Sequence, residues 1–203
     1  MERQITELLK TVISTSGLTW LDVVCGMVET VQMKATTPDG TVTHAVPAYR
    51  QPGQTGCNKG NDYTLCVPDT SDRSIVYIEA ERPNVIKVTT HYDEYTLPVT
   101  IVGWLNLKQI NVAYENASGL VDELLSVIGS SLPNSAPYNT IRVDMTGSSR
   151  DLSVVNKYDY NEAENQMWIY PFDFFTIGLN ITFRRKHVCH GSTSLDPSAC
   201  KTY

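Results

Sequence analysis

An α+β fold built mainly on antiparallel strands is what this sequence predicts, and three observations predict it. Segment 171–186, PFDFFTIGLNITFRRK, sets Phe175, Ile177, Leu179, Ile181 and Phe183 on alternate positions. An extended chain turns these five to one apolar face and leaves Phe174, Thr176, Gly178, Asn180 and Thr182, smaller and mostly polar, on the other. Only two stretches carry helical periodicity, Ile5-Leu8-Leu9-Val12-Ile13 and Leu120-Val121-Leu124-Leu125-Ile128. Much of what remains alternates between Val-, Thr- and Tyr-rich runs and turn signals. The expected architecture is a sheet or sandwich with an N-terminal helix and a second helix packed on it, in one domain over 1–203.

In chain order, residues 2–15 form the first helix, with Glu2 and Glu7 early, Lys10 late, and Gly17 as a left-handed stop. Residues 20–35 read as one long strand whose alternation is lost near Gly26, which fits a bulge. Thr37-Pro38-Asp39-Gly40 predicts a tight turn, because Pro sets the first corner and Gly accepts positive φ. Thr41–Val46 then closes a hairpin. Residues 51–73, QPGQTGCNKGNDYTLCVPDTSDR, lack any period and are expected to form a long projecting loop, with Tyr63, Leu65 and Val67 as a short β-arm. Strands follow over 75–78, 84–91 and 95–107, with a turn at Tyr92–Glu94 and an interruption at Pro98. The second helix is capped by Asn116 or Ser118, takes Asp122 and Glu123 in its first turn, and ends at Gly129. Thr140–Met145 is a strand and Ser148–Asp151 a turn. Leu152–Tyr158 and Gln166–Tyr170 are candidate strands, and 191–203 reads as an irregular tail.

Composition narrows the function classes. A net charge of −6 argues against a broad phosphate-binding surface, and 41% hydrophobic with 19% charged residues is ordinary for a globular chain. Eleven Tyr outnumber the four Phe and three Trp together, which suits strands and wet interfaces. No apolar run reaches the roughly 20 residues that span a bilayer. MERQITELLK has no signal-peptide core, so a chain made and kept in a cytoplasm is expected. Cys25, Cys57, Cys66, Cys189 and Cys200 are then read as free thiols.

No motif points to catalysis. Gly53, Gly56, Lys59 and Gly60 have the composition of a phosphate loop but not its order. The pairs Asp93-Glu94, Asp122-Glu123 and Glu162/Glu164 are read as solvated carboxylates, and Asp159–Glu162 lacks an ordered ion-binding pattern. His187-Val188-Cys189-His190 with Cys200, joined by Cys57 and Cys66, has zinc-ligand chemistry without the usual pair spacing. Arg184-Arg185-Lys186-His187 is read as a charged strand end that discourages edge pairing, or else as a contact for phosphate. No catalytic, cofactor-binding or metal residue is therefore assigned.

The order of elements over residues 6–186 resembles the tail-terminator and tail-completion (neck-ring) proteins of tailed bacteriophages, including ring proteins of crAss-like phages. It runs from an amphipathic helix through a β-hairpin with a Gly/Pro-rich excursion and a central strand group to one buried helix and closing strands ending in FFTIGLNITFRRK. The resemblance implies a non-enzymatic virion protein that needs no cofactor and forms a homo-oligomeric ring in the head–tail connector. Its partners would be portal and tail proteins, with DNA passing through the lumen without sequence-specific binding and no membrane contact. Rings of identical subunits close by heterologous contacts, for which a sheet edge and an extended loop such as 51–73 are natural devices. Two other readings compete. One is a carbohydrate- or host-surface-binding β module with Tyr63, Trp104 and Trp168 as platforms; the other is a zinc-stabilised module using the C-terminal Cys/His cluster.

Overall fold

The structure is a computed structural model that describes residues 1–37, 40–50, 63–68, 70–113, 117–129, 132, 138–150, 156–158 and 171–187. Helix α1 (Glu2–Ser14) leads into β1 (Val23–Thr37), β2 (Gly40–Arg50), β3 (Tyr63–Leu65), β4 (Ser74–Ala80), β5 (Asn84–Val88) and β6 (Tyr92–Asn106). A one-turn helix α2 (Leu107–Ile110), α3 (Ala117–Ile128), β7 (Tyr138–Ser149) and β8 (Phe172–Lys186) follow. The strands form one mixed sheet in the order β3-β2-β1-β4-β6-β8-β7, with β5 attached to β6. The α+β expectation holds. Among these pairings only β1–β4 is parallel.

The predicted closing strand is the spine. β8 pairs with β6 over its whole length, from Phe172↔Asn106 to Lys186↔Tyr92. Phe175, Ile177, Leu179, Ile181 and Phe183 are buried in one cluster with Ile5, Leu9 and Ile13 of α1 and Leu120, Leu124 and Ile128 of α3. Both helices thus cover the face that alternation assigned to them. Trp20 joins them, edge-on to Phe175 at 6.4 Å and donating from Nε1 to Glu123 at 3.0 Å.

The opposite face departs from expectation. In place of a mostly polar surface it carries a second, smaller core of Cys25, Val28, Tyr49, Cys66, Ile75, Tyr77, Val102, Trp104, Tyr158 and Phe174. Trp104 packs on Phe174 at 5.5 Å. This explains why β6 reads as apolar on both faces: it lies between β4 and β8 with a core on each side. The loss of alternation near Gly26 is a register shift between Val24 and Met27 against β4. Gly26 is required there, because a Cβ would overlap Glu7 of α1 and the Tyr49 ring.

Several boundaries move, each through a non-local partner. Pro98 does not interrupt β6. Its carbonyl accepts from Glu81 N at 3.1 Å, where β6 changes neighbour from β4 (Val99↔Ala80) to β5 (Thr96↔Asn84), so the missing N–H falls at the seam. The turn before β6 is at Thr89–His91 rather than Tyr92–Glu94, with Thr89 Oγ1 donating to Tyr92 O at 2.6 Å. Asn106 ends β6 and caps α2, a helix the sequence reading missed. Asp122 and Glu123 fall in the second turn of α3, since that helix starts at Ala117; Asn116 lies outside the described residues.

Ser148 and Ser149 are not a turn. They extend β7 along β8, and Ser149 Oγ meets Thr176 Oγ1 at 3.1 Å. The hairpin turn is confirmed by Thr37↔Gly40 pairing and a Gly40 φ of 137°. Of the predicted projecting loop, residues 51–62 and 69 lie outside the described residues, and part of the rest is tied to the sheet, while Tyr63, Thr70 and Ser71 are exposed. β3 pairs with β2, Cys66 is buried, and Arg73 is held by Asp22. The candidate strands at 152–155 and 166–170 and the tail 191–203 also lie outside the described residues.

Candidate assembly interface

The strand that stands apart is β5, sequence NVIKV. All five residues are exposed, with Val85 at 57%, Ile86 at 55% and Val88 at 71%. Among the described pairings β5 joins only β6, through Asn84↔Thr96 to Val88↔Asp93, with a register shift between Val85 and Lys87. β-branched residues favour a pleated, half-buried surface. Three of them exposed on a sheet edge form a template for another strand, tempered here only by Lys87 and the irregular register.

Among the described strands the sheet at this end runs β5-β6-β8-β7, with β5 at one edge and β7 at the other. The second is β7, which carries Met145 at 57% exposure and an Arg142–Asp144 pair at 2.6 Å.

Several charged groups beneath this end face one another across the ladder. Asp93 and Glu94, read as solvated, lie instead in β6. Asp93 is buried and faces His187 Nε2 at 3.1 Å, while Tyr95 donates to its other oxygen at 3.3 Å. Burial, and then the nearby Asp93 charge, raise the Tyr95 hydroxyl above the usual range. Arg184 donates to Glu94 at 2.9 Å and lies 4.6 Å over the Tyr92 ring. Arg184 and His187 of the basic run therefore face carboxylates across the ladder, and β8 is an interior strand rather than the edge expected.

A second feature, not foreseen from the sequence, is a cleft of about 320 Å³ between the start of α3 and the ends of β6, β7 and β8. Ala117, Ser118 and Asp122 border it, and Arg150 pairs with the buried Asp173 at 2.6 Å on its floor. Burial raises the Asp173 carboxyl, against the lowering effects of Phe174 N and Arg150. A third is a polar bridge from α1 to β2. Lys10 donates to Tyr49 Oη at 2.8 Å, and Tyr49 donates to Glu7 at 2.9 Å. Burial first, and the Glu7 carboxylate second, hold that hydroxyl well above its ordinary range. Neither feature has a local sequence signal, since each joins residues from distant strands or helices.

The remaining candidates do not converge. Trp104 is 2% exposed and cannot serve as a sugar platform; Tyr63 is exposed on β3, and Trp168 lies outside the described residues. His187 faces Asp93, whereas Cys57, Cys189, His190 and Cys200 lie outside them, as do Gly53–Gly60 and Asp159–Glu164. Among the described residues no group of three or more His, Cys, Asp or Glu side chains could hold a metal, and no helix is long and apolar enough to cross a membrane. No family model matches this chain, and neither curated proteins nor solved structures give a match.

Proposed function

We propose that the chain is a structural subunit of a tailed-bacteriophage head–tail connector, forming a homo-oligomeric ring between portal and tail through which DNA passes. The observation that carries the proposal is the exposed apolar edge of β5. A monomer gains nothing from three solvent-facing β-branched residues on an edge, whereas a neighbour's strand would cover them.

The occupant we assign is the β7 edge of a second copy. Among the described strands β5 and β7 are the two edges of the same sheet end, so one copy's β5 against the next copy's β7 repeats head to tail. Met145 offers apolar surface, and Asp144 offers a carboxylate to Lys87. The order of elements supports the connector assignment, and the net charge of −6 suits a lumen that does not grip DNA.

Mass photometry of the purified chain tests the assembly. A single closed oligomer is expected, and Asp144→Lys should weaken it. A chain monomeric at micromolar concentration, and absent from purified phage particles carrying its gene, would overturn the reading.

A further inference from the structure

The cleft at the start of α3 sets two carboxylates, Asp122 and Asp173, against one guanidinium, Arg150. Asp173 is buried on the floor, where Arg150 donates to its Oδ2 at 2.6 Å and Phe174 N to its Oδ1 at 2.9 Å. Burial raises this carboxyl in spite of both bonds, so a further positive charge at the mouth would stabilise it. Asp122 stands exposed on the rim, and no ion pair among the described residues includes it. Leu105, Val121 and Phe175 supply apolar wall. The cleft thus suits a second cation with an apolar stem. Arginine meets that description, because its guanidinium binds carboxylates while its stem packs on apolar surface.

The proposed head-to-tail contact brings one such arginine to the cleft. β5 is antiparallel to β6, β6 to β8, and β8 to β7, so β5 and β7 run in opposite senses. A sheet carried on from copy to copy therefore sets β5 antiparallel to the neighbour's β7. With Lys87 opposite Asp144, five positions lead back to Arg82 on one chain and five lead on to Ser149 on the other. Each chain has one register shift in that span, between Val85 and Lys87 and between Met145 and Gly147, so the two ladders stay in step. Arg82 then arrives at Ser149, on the lip of the cleft. It is exposed, and no ion pair among the described residues includes it. Its own cleft is out of reach. Glu81 N donates to Pro98 O, and Pro98 lies seven residues along β6 from Leu105, roughly 23 Å.

The stagger fits a closed ring. Within one copy Asp144 is level with Pro98 through Asn180, and so lies near the level of Arg82. Bringing Lys87 to that level shifts each copy by about 16 Å along the strands for about 19 Å of sheet width. That slope is about 40°, within the tilt range of closed sheets.

We propose that Arg82 of one copy enters the cleft of the next and pairs with Asp122, above the Arg150–Asp173 pair, so that each cleft is completed only by a second copy. The inference rests on the ring reading and adds to it the residue that fixes the register between copies.

The test is sedimentation velocity of the full chain over a dilution series, with a thermal melt of each variant. Arg82→Glu and Asp122→Arg should each raise the concentration at half-assembly about fivefold or more. The two together should bring it back to within about twofold of the wild type, and every variant should keep its fold, since both side chains are exposed. Single variants that assemble as the wild type does, while Ile86→Lys/Val88→Lys disperses the oligomer, would overturn the inference and leave the ring reading standing. Single variants that weaken assembly without recovery in the combination would overturn the pairing. A wild-type chain that stays monomeric would remove the ring reading and the inference with it.

Discussion

Strands β8 and β5 are both rich in apolar residues, and they occupy opposite surroundings. In β8, Ile177, Ile181 and Phe183 are fully buried under two helices, between partner strands on both edges. In β5, Val85, Ile86 and Val88 face solvent beside one partner strand. Burying a side chain such as Ile contributes about 1.5–3 kcal/mol, so β8 supplies folding free energy that β5 does not. A contiguous exposed apolar edge is a feature that partner surfaces share. The contrast separates the strand that holds the fold from the strand for which we propose a neighbouring copy as cover.

The largest break of this contrast comes from the spine. Ile181→Asp puts an unpaired carboxylate in the main core and should cost about 4 kcal/mol or more, enough to unfold the chain. Far-UV circular dichroism and a melt check this; a soluble variant melting near the wild-type temperature would remove β8 from the centre of the account. Next in size is Gly103→Ala on β6. Its Cβ would overlap the Phe175 ring, so an overpacking loss of about 1–3 kcal/mol is expected in urea titration.

The smallest effect concerns the anchor of the segment before β4. Asp22 accepts from Arg73 N at 2.6 Å and from Arg73 Nε at 2.9 Å, and these hydrogen bonds hold its carboxyl below the usual range. A depressed folded-state pKa gives stability present above the unfolded carboxylate pKa and lost as pH falls through the folded one. Asp22→Asn should therefore lower the melting temperature slightly at neutral pH and have no effect in strong acid. An equal loss at both would deny the linkage. Asp173 has the opposite sign: burial raises its pKa, so its contribution is greatest below the unfolded carboxylate pKa and is lost as pH rises through the folded one.

What could be read from sequence follows the range of the forces involved. α1, α3, the Pro38-Asp39-Gly40 hairpin and the face of β8 are set by spacing within a few residues, and all are legible. The parallel β1–β4 pairing, the passage of β6 through Pro98 and the extension of β7 through Ser149 depend on strands far away in sequence, and local patterns do not encode them. Site chemistry was legible only as composition. Asp93 looks like a turn carboxylate until His187 is brought over it, and Cys25 and Cys66 look unrelated until the second core joins them. β5 was visible as a strand; its exposure was not, because nothing in NVIKV says that one edge goes uncovered.

The most direct test of the central claim pairs oligomeric mass with melting temperature for the wild-type chain and for Ile86→Lys/Val88→Lys. A closed oligomer is expected for the wild type, and a monomer for the variant whose isolated subunit keeps its fold, with stability changed by no more than about 0.5 kcal/mol per site. A variant that assembles as the wild type does, or one that unfolds, would contradict that claim.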